Sequence, residues 1–196
     1  PKIAPTQAVI VPILFDKTKK EVLKEAEKIK ESLENAGIST HLDDRDAYSA
    51  GFKFNEWELK GVPLRIEVGP RDIENKQVVL VRRDIGEKKI IKLSSLAKDA
   101  KKSLDELQKN LFEKSKKSLD EKTKPAKDYN EIKKIIDSAM IAKISWCENS
   151  KCEEKIKEDT GATMRVMPFG EDVKTGATCA VCGKDAKKVV YVGKSY

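Results

Sequence analysis

The sequence has 196 residues, 37% of them charged and 39% hydrophobic, enough apolar content for one large domain or two small ones and too much for a disordered chain. Forty basic against 33 acidic residues leave a net charge of +7, which favours an anionic partner, nucleic acid before an acidic membrane surface; a well-solvated Lys- and Glu-rich surface gives the same balance. No stretch approaches the roughly 20 apolar residues of a membrane span and the N-terminus carries no secretory pattern, so no membrane partner and a cytoplasmic location are expected.

The start, Pro1-Lys2-Ile3, lacks Met, as a fragment would. Ala8 to Ile13 is a short β-branched run that reads as a buried strand with Pro12 near its end. Thr18-Lys19-Lys20-Glu21 matches a capping box. Val22, Ala26, Ile29, Leu33 and Ala36 then fall on one helical face, and Gly37 stands where a left-handed cap would end the helix. Ile38 to Leu42 is the next strand, giving a βαβ unit with parallel pairing.

Leu64 to Val68 alternates apolar and charged residues, the mark of a half-buried strand; Val78 to Val81 and Lys89 to Leu93 are two more. A long helix begins near Ser94 or Ser95, with Leu96, Ala100, Leu104, Leu107 and Leu111 as its stripe. Lys122 to Lys127, around Pro125, reads as a linker. Asp128 caps another helix with Ile132, Ile135, Ile136, Ala139 and Met140 on one side, and strands are expected at Met164–Met167 and Val189–Val192. Two domains are expected, 1–122 and 123–196.

The four cysteines come in two short pairs, Cys147/Cys152 and Cys179/Cys182. Such pairs let two turns each offer two thiolates to one ion, with Zn–S distances of about 2.3 Å. A four-thiolate site leaves no open position for water, so a structural zinc is expected here. A disulfide pair, a redox dithiol at Cys179/Cys182 and an iron–sulfur site are the alternatives; the dithiol leaves Cys147 and Cys152 unexplained. His41, far from the cysteines in sequence, is given no metal or catalytic role.

Residues 51 to 72 interleave aromatics with charges. Phe and Trp stack on unpaired bases, Arg grips guanine O6 and N7, and a carboxylate accepts from guanine N1 and N2. A helix followed by a strand would bring Glu58 and Arg65 together. On spacing alone, Phe52, Phe54 and Trp57 fit a packed helix face equally well.

Lys53 to Asp72, with Trp57-Glu58-Leu59-Lys60-Gly61-Val62-Pro63 followed by Arg65, Glu67 and Gly69-Pro70-Arg71-Asp72, closely resembles the anticodon-binding domain of prolyl-tRNA synthetases of the archaeal and eukaryotic type. Ile3 to Ile13 and Gln77 to Asp84 resemble that domain's strands. The cysteine pairs, Thr160 to Arg165, Pro168-Phe169 and the terminal Tyr196 resemble the family's appended zinc-binding domain. The resemblance implies an α/β fold with a mixed, mostly parallel sheet and flanking helices, followed by a small α+β zinc-binding domain. It implies that Phe54, Glu58, Arg65, Arg71 and Asp72 face the anticodon, with Trp57 packed behind them, and that Cys147, Cys152, Cys179 and Cys182 bind zinc. It further implies an ATP-dependent proline–tRNA ligase, a cytoplasmic homodimer acting on proline and tRNA(Pro), with ATP and magnesium in a catalytic domain. The family's Arg-Glu pair and Gly-rich stretch ending in Arg are not found here, so no catalytic residue is assigned and the segment alone is expected to be inactive. The rival readings are the anticodon-binding part of another class II synthetase and a free-standing zinc-dependent RNA-binding module.

Overall fold

Ala8–Pro12 (β1) is buried along its whole length, as an apolar, β-branched run must be when both faces of its sheet are covered. In the computed structural model, which describes residues 3 to 195, this strand sits inside a five-stranded sheet. Pro1, Lys2 and Tyr196, which figured in the readings of the chain start and of the terminal tyrosine, lie outside the described residues. The sheet's other strands are β2 (Thr40–Leu42), β3 (Leu64–Val68), β4 (Gln77–Arg82) and β5 (Lys88–Lys92), in the order β2-β1-β3-β4-β5. The expected α/β class stands. The sheet is parallel in its β2-β1-β3 half and antiparallel in its β3-β4-β5 half; the parallel share is smaller than expected because β4 and β5 are joined by a short hairpin that only antiparallel strands allow.

Helix α1 (Lys19–Asn35) buries Val22, Ala26, Ile29 and Leu33, as its period requires. Its expected capping box does not form: Thr18 makes no side-chain cap, and its hydroxyl donates back to the Phe15 carbonyl at 3.5 Å. The C-terminus is better defined. Gly37 at φ +80° lets its own N–H reach Glu34 O and the Ile38 N–H reach Leu33 O, a Schellman closure that seats Ile38 in the core. Helix α4 (Leu96–Lys122) buries Leu96, Ala100, Leu104 and Leu107. Both helices share one core with Ala8, Ile10, Leu64, Ile66 and Leu80 on one sheet face. Helix α2 (Ala50–Leu59) lies on the other, with Phe54 and Trp57 against Val9, Val11 and Val62. A short helix, α3 (Pro70–Glu74), follows β3.

The chain divides into two units between Glu113 and Lys114. The second holds a four-stranded sheet, β6 (Thr123–Pro125), β7 (Ile141–Trp146), β9 (Lys188–Gly193) and β8 (Thr163–Val166), in that spatial order. Residues 122–127 are therefore not a linker: β6 pairs in parallel with β7 at the sheet edge, where a proline without an N–H is tolerated. Helices α5 (Tyr129–Asp137) and α6 (Ser150–Thr160) bury Ile132, Ile136 and Ile156 on this sheet. The Asp128 carboxylate caps α5 as expected, accepting from the Asn130 and Glu131 N–H groups at 2.8 and 2.9 Å. Ala139 is not on the helix's apolar side: it is exposed, past the helix end, at φ +55°.

Candidate nucleic-acid interface and metal centre

Helix α2 is set on the sheet by polar groups that its sequence hides. Lys53 is only 2% exposed and donates to the backbone carbonyl of Asp43 at 3.1 Å. The Asp43 carboxylate, 1% exposed, accepts from Trp57 Nε1 at 2.8 Å and from Arg45 Nε and Nη2 at 2.8 and 2.7 Å. Burial would raise the carboxyl's pKa, but the bonds from Arg45 and Trp57, and then the Lys53 charge, hold it well below the usual carboxylate range. Arg45 also reaches Glu56, which takes Lys60 at 2.7 Å. Trp57 thus packs on the sheet while its indole N–H anchors the helix.

One position further round the helix, Phe54 and Glu58 face Arg65 of β3. Arg65, opposite them, lies over the Phe54 ring, its Cζ 4.2 Å from the centroid. Its Nη1 is 4.0 Å from Glu58 Oε2. The expected neighbourhood of Glu58 and Arg65 is thus present. The two border a cavity of about 190 Å³ whose far wall is the β4–β5 hairpin, with Arg83, Gly86 and Lys88. A cation carried over an aromatic ring, with an exposed carboxylate beside it and a space of this size, can take a planar base.

Two of the expected residues stand elsewhere. Arg71 and Asp72 are on α3, past the other end of β3, and do not line this cavity. Asp72 Oδ2 accepts the Gly69 N–H at 2.9 Å and so closes the start of that helix. Sequence reasoning missed Glu67 and the hairpin wall. Arg65 Nε and Nη2 both donate to Glu67 Oε1 at 3.0 Å, and Lys88 Nζ stands 3.4 Å from Glu67 Oε2. The Arg-x-Glu spacing on one strand was the available signal.

In the second unit the four cysteine sulfurs lie within 4.8 Å of one another. Cys147 follows β7 and Cys152 is in the first turn of α6. Cys179 and Cys182 share a tight loop closed by the Gly183 N–H to Cys179 O at 2.9 Å, with Gly183 at φ +73°. The sulfur of Cys147 is 3.7 Å from that of Cys152 and 3.6 Å from that of Cys182. An ideal tetrahedron with metal–sulfur bonds of about 2.3 Å has edges of about 3.8 Å. Four cysteines close together could therefore hold a metal ion, and the donor set fits one. The Lys184 backbone N–H draws the Cys182 thiol down to about 7, whereas burial pushes the Cys147 and Cys152 thiols up. Among the described residues no helix is long and apolar enough to cross a membrane.

Comparison with known proteins falls along the same division. Residues 7–103 match the anticodon binding domain family, and residues 129–196 match the family described as prolyl-tRNA synthetase, C-terminal. The proline–tRNA ligase of Alkaliphilus oremlandii (strain OhILAs) is 47% identical over 197 residues, covering all of this chain and 40% of the relative. That of Acetoanaerobium sticklandii is 46% identical with the same coverage. That of Natranaerobius thermophilus is 41% identical over 199 residues and is covered to 41%. The chain spans about 40% of the length of the curated relatives it matches.

Proposed function

Since the chain is made of the anticodon-binding and C-terminal domains of the proline–tRNA ligase family, we propose that it is the tRNA-reading part of such a ligase and that its first unit reads the two guanines of proline anticodons. Proline codons share their first two bases, so their anticodons carry guanine at the last two positions. The single observation that carries this reading is Arg65 laid on Phe54 beside Glu58 at the mouth of a base-sized cavity. Arg65 offers donors to O6 and N7 and Glu58 accepts from N1 and N2, while Phe54 lines the cavity beneath the Arg65 guanidinium. Arg71 and Asp72 complete the reading from α3, with Arg71 exposed and free to meet a second base or a phosphate. The lysines of α4 add a sequence-independent attraction that fades as salt rises.

The full ligase attaches proline to tRNA(Pro) with ATP and magnesium in its remaining length, as a cytoplasmic homodimer. Within the family we place the chain in the archaeal and eukaryotic type, on the Trp57–Pro63 motif and the appended cysteine domain. The named relatives are bacterial. The metal held by Cys147, Cys152, Cys179 and Cys182 is zinc, in a structural role.

Arg65→Ala tests the reading. It should weaken binding of a proline anticodon stem-loop by about 1–3 kcal/mol, and should matter far less for loops whose guanines have been replaced. Measuring both changes alone and together gives the coupling directly. An equal loss with every loop would make Arg65 a phosphate contact or a scaffold residue and would defeat the assignment. A lysine on α4 changed to Ala should instead weaken all RNAs alike and lower the salt slope.

A further inference from the structure

We propose that Glu67 is a positioning residue for base reading: it fixes which edge of the Arg65 guanidinium faces the ligand, and so sets the discrimination for guanine. The inference rests on the anticodon reading of this cavity. A guanidinium carries five N–H groups along three edges. Glu67 Oε1 takes Nε and Nη2 at 3.0 Å each, which uses the inner edge. The edge left over, Nη1 with the second hydrogen of Nη2, is the one that borders Glu58, 4.0 Å away. A guanine placed against it can meet the two Arg65 donors through O6 and N7 and the Glu58 carboxylate through N1 and N2.

Glu67 is suited to this by its own surroundings. It is 6% exposed on the middle strand of the sheet, where rotamers are few and the carboxylate cannot swing to solvent. A buried carboxylate is retained only with good partners, and here Arg65 and Lys88 supply them. Phe54 closes the remaining side from beneath, with its ring centroid 4.2 Å from the guanidinium Cζ. Arg65 is thereby held in plane and in rotation before any ligand arrives, which spares the ordering entropy that a free arginine would lose on binding. Without Glu67 the inner edge would compete for the base, and a guanidinium free to turn serves adenine N7 or a phosphate nearly as well.

The test uses the whole chain, with Glu67→Gln as the isosteric change and Glu67→Asp as the change that keeps the charge. Affinity is measured for a proline anticodon stem-loop and for the same loop with each guanine replaced by adenine. The wild-type chain must first prefer the guanine loop; if it does not, the anticodon reading itself fails, and the failure is visible before any Glu67 variant is made. Given that preference, Glu67→Gln should weaken the guanine loop by about tenfold while the adenine loops change by less than about twofold, and Glu67→Asp should recover part of the preference. Hydrogen exchange at Arg65 Nε in the RNA-free chain gives a second reading, and should be about tenfold faster in Glu67→Gln. Equal weakening of every loop in both variants, or an unchanged guanine preference with unchanged Arg65 exchange, overturns the proposal.

Discussion

Asp43 shows what one residue can decide in this molecule. Its carboxylate accepts from Trp57 and twice from the Arg45 side chain, and Lys53 lies 3.8 Å away. Asp43→Asn leaves Arg45 and Lys53 facing an uncharged amide, and should destabilise the first unit by about 3–5 kcal/mol, the usual consequence of breaking a buried pair. The pH dependence has a definite sign. The folded carboxyl titrates below its unfolded value, so its stabilisation is fully present above about pH 4 and is lost as pH falls further. Thermal melts of the wild type between pH 5 and pH 2 should therefore decline more steeply than those of Asp43→Asn; parallel declines would show that Asp43 does not carry the effect. This network was largely illegible in the sequence. A lysine is almost never fully buried unless paired, and nothing in Lys53 or its neighbours announced that it would be. The neighbourhood of Glu58 and Arg65 was legible because a helix followed directly by a strand brings the two positions together. Glu67 was not, because strict alternation along β3 suggested one apolar and one solvated face. The face that carries Arg65 and Glu67 is in fact half-covered by Phe54 and the hairpin.

At the scale of elements, periodic helices and apolar or alternating strands were read correctly, and short polar segments were not. The faces of α1 and α4 followed from spacing alone, since a 3.6-residue period in an apolar stripe has few other outcomes. The strand Thr123–Pro125 looked like a linker because a three-residue edge strand with Lys and Pro has the composition of a loop; only its pairing with β7 distinguishes it. The box at Thr18 failed because a motif of two residues specifies no backbone geometry by itself. The end of α5 offers a test at this scale. Ala139 sits at φ +55°, with its own N–H on Ile136 O and the Met140 N–H on Ile135 O. That is a Schellman closure with a side chain where glycine would stand. Left-handed backbone is unfavourable by roughly 1–2 kcal/mol for a residue with a Cβ. Ala139→Gly should accordingly stabilise the second unit by about 1 kcal/mol after the added freedom of the unfolded glycine is subtracted. A lowered melting temperature would mean that the methyl group packs usefully.

At the scale of the whole molecule, the two units should differ in what holds them together. The first has a core of two helices and a five-stranded sheet. The second, from Lys114 onward, buries a smaller set of side chains and places four thiols around one point. A segment of that size is marginal on apolar burial alone, and a bound structural zinc can contribute about 10–16 kcal/mol of apparent binding free energy to folding. Removal of the metal by a chelator, or Cys179→Ser, should therefore loosen the second unit and leave the first folded. Cys179 suits the substitution because it is buried and its N–H donates to Lys184 O at 2.7 Å, so its loop is held from both sides by backbone and would lose only the sulfur. The chain carries its own reporters. Of its two tryptophans, Trp57 lies in the first unit against Val9 and Val11, and Trp146 lies in the second, directly before Cys147. The Trp146 indole signal should shift or broaden on chelation while the Trp57 signal, tied to Asp43, stays in place. Elemental analysis should find one zinc per chain before treatment. Iron in its place, no metal at all, or a Trp146 signal indifferent to chelation would each remove zinc from the account of how the second unit is held.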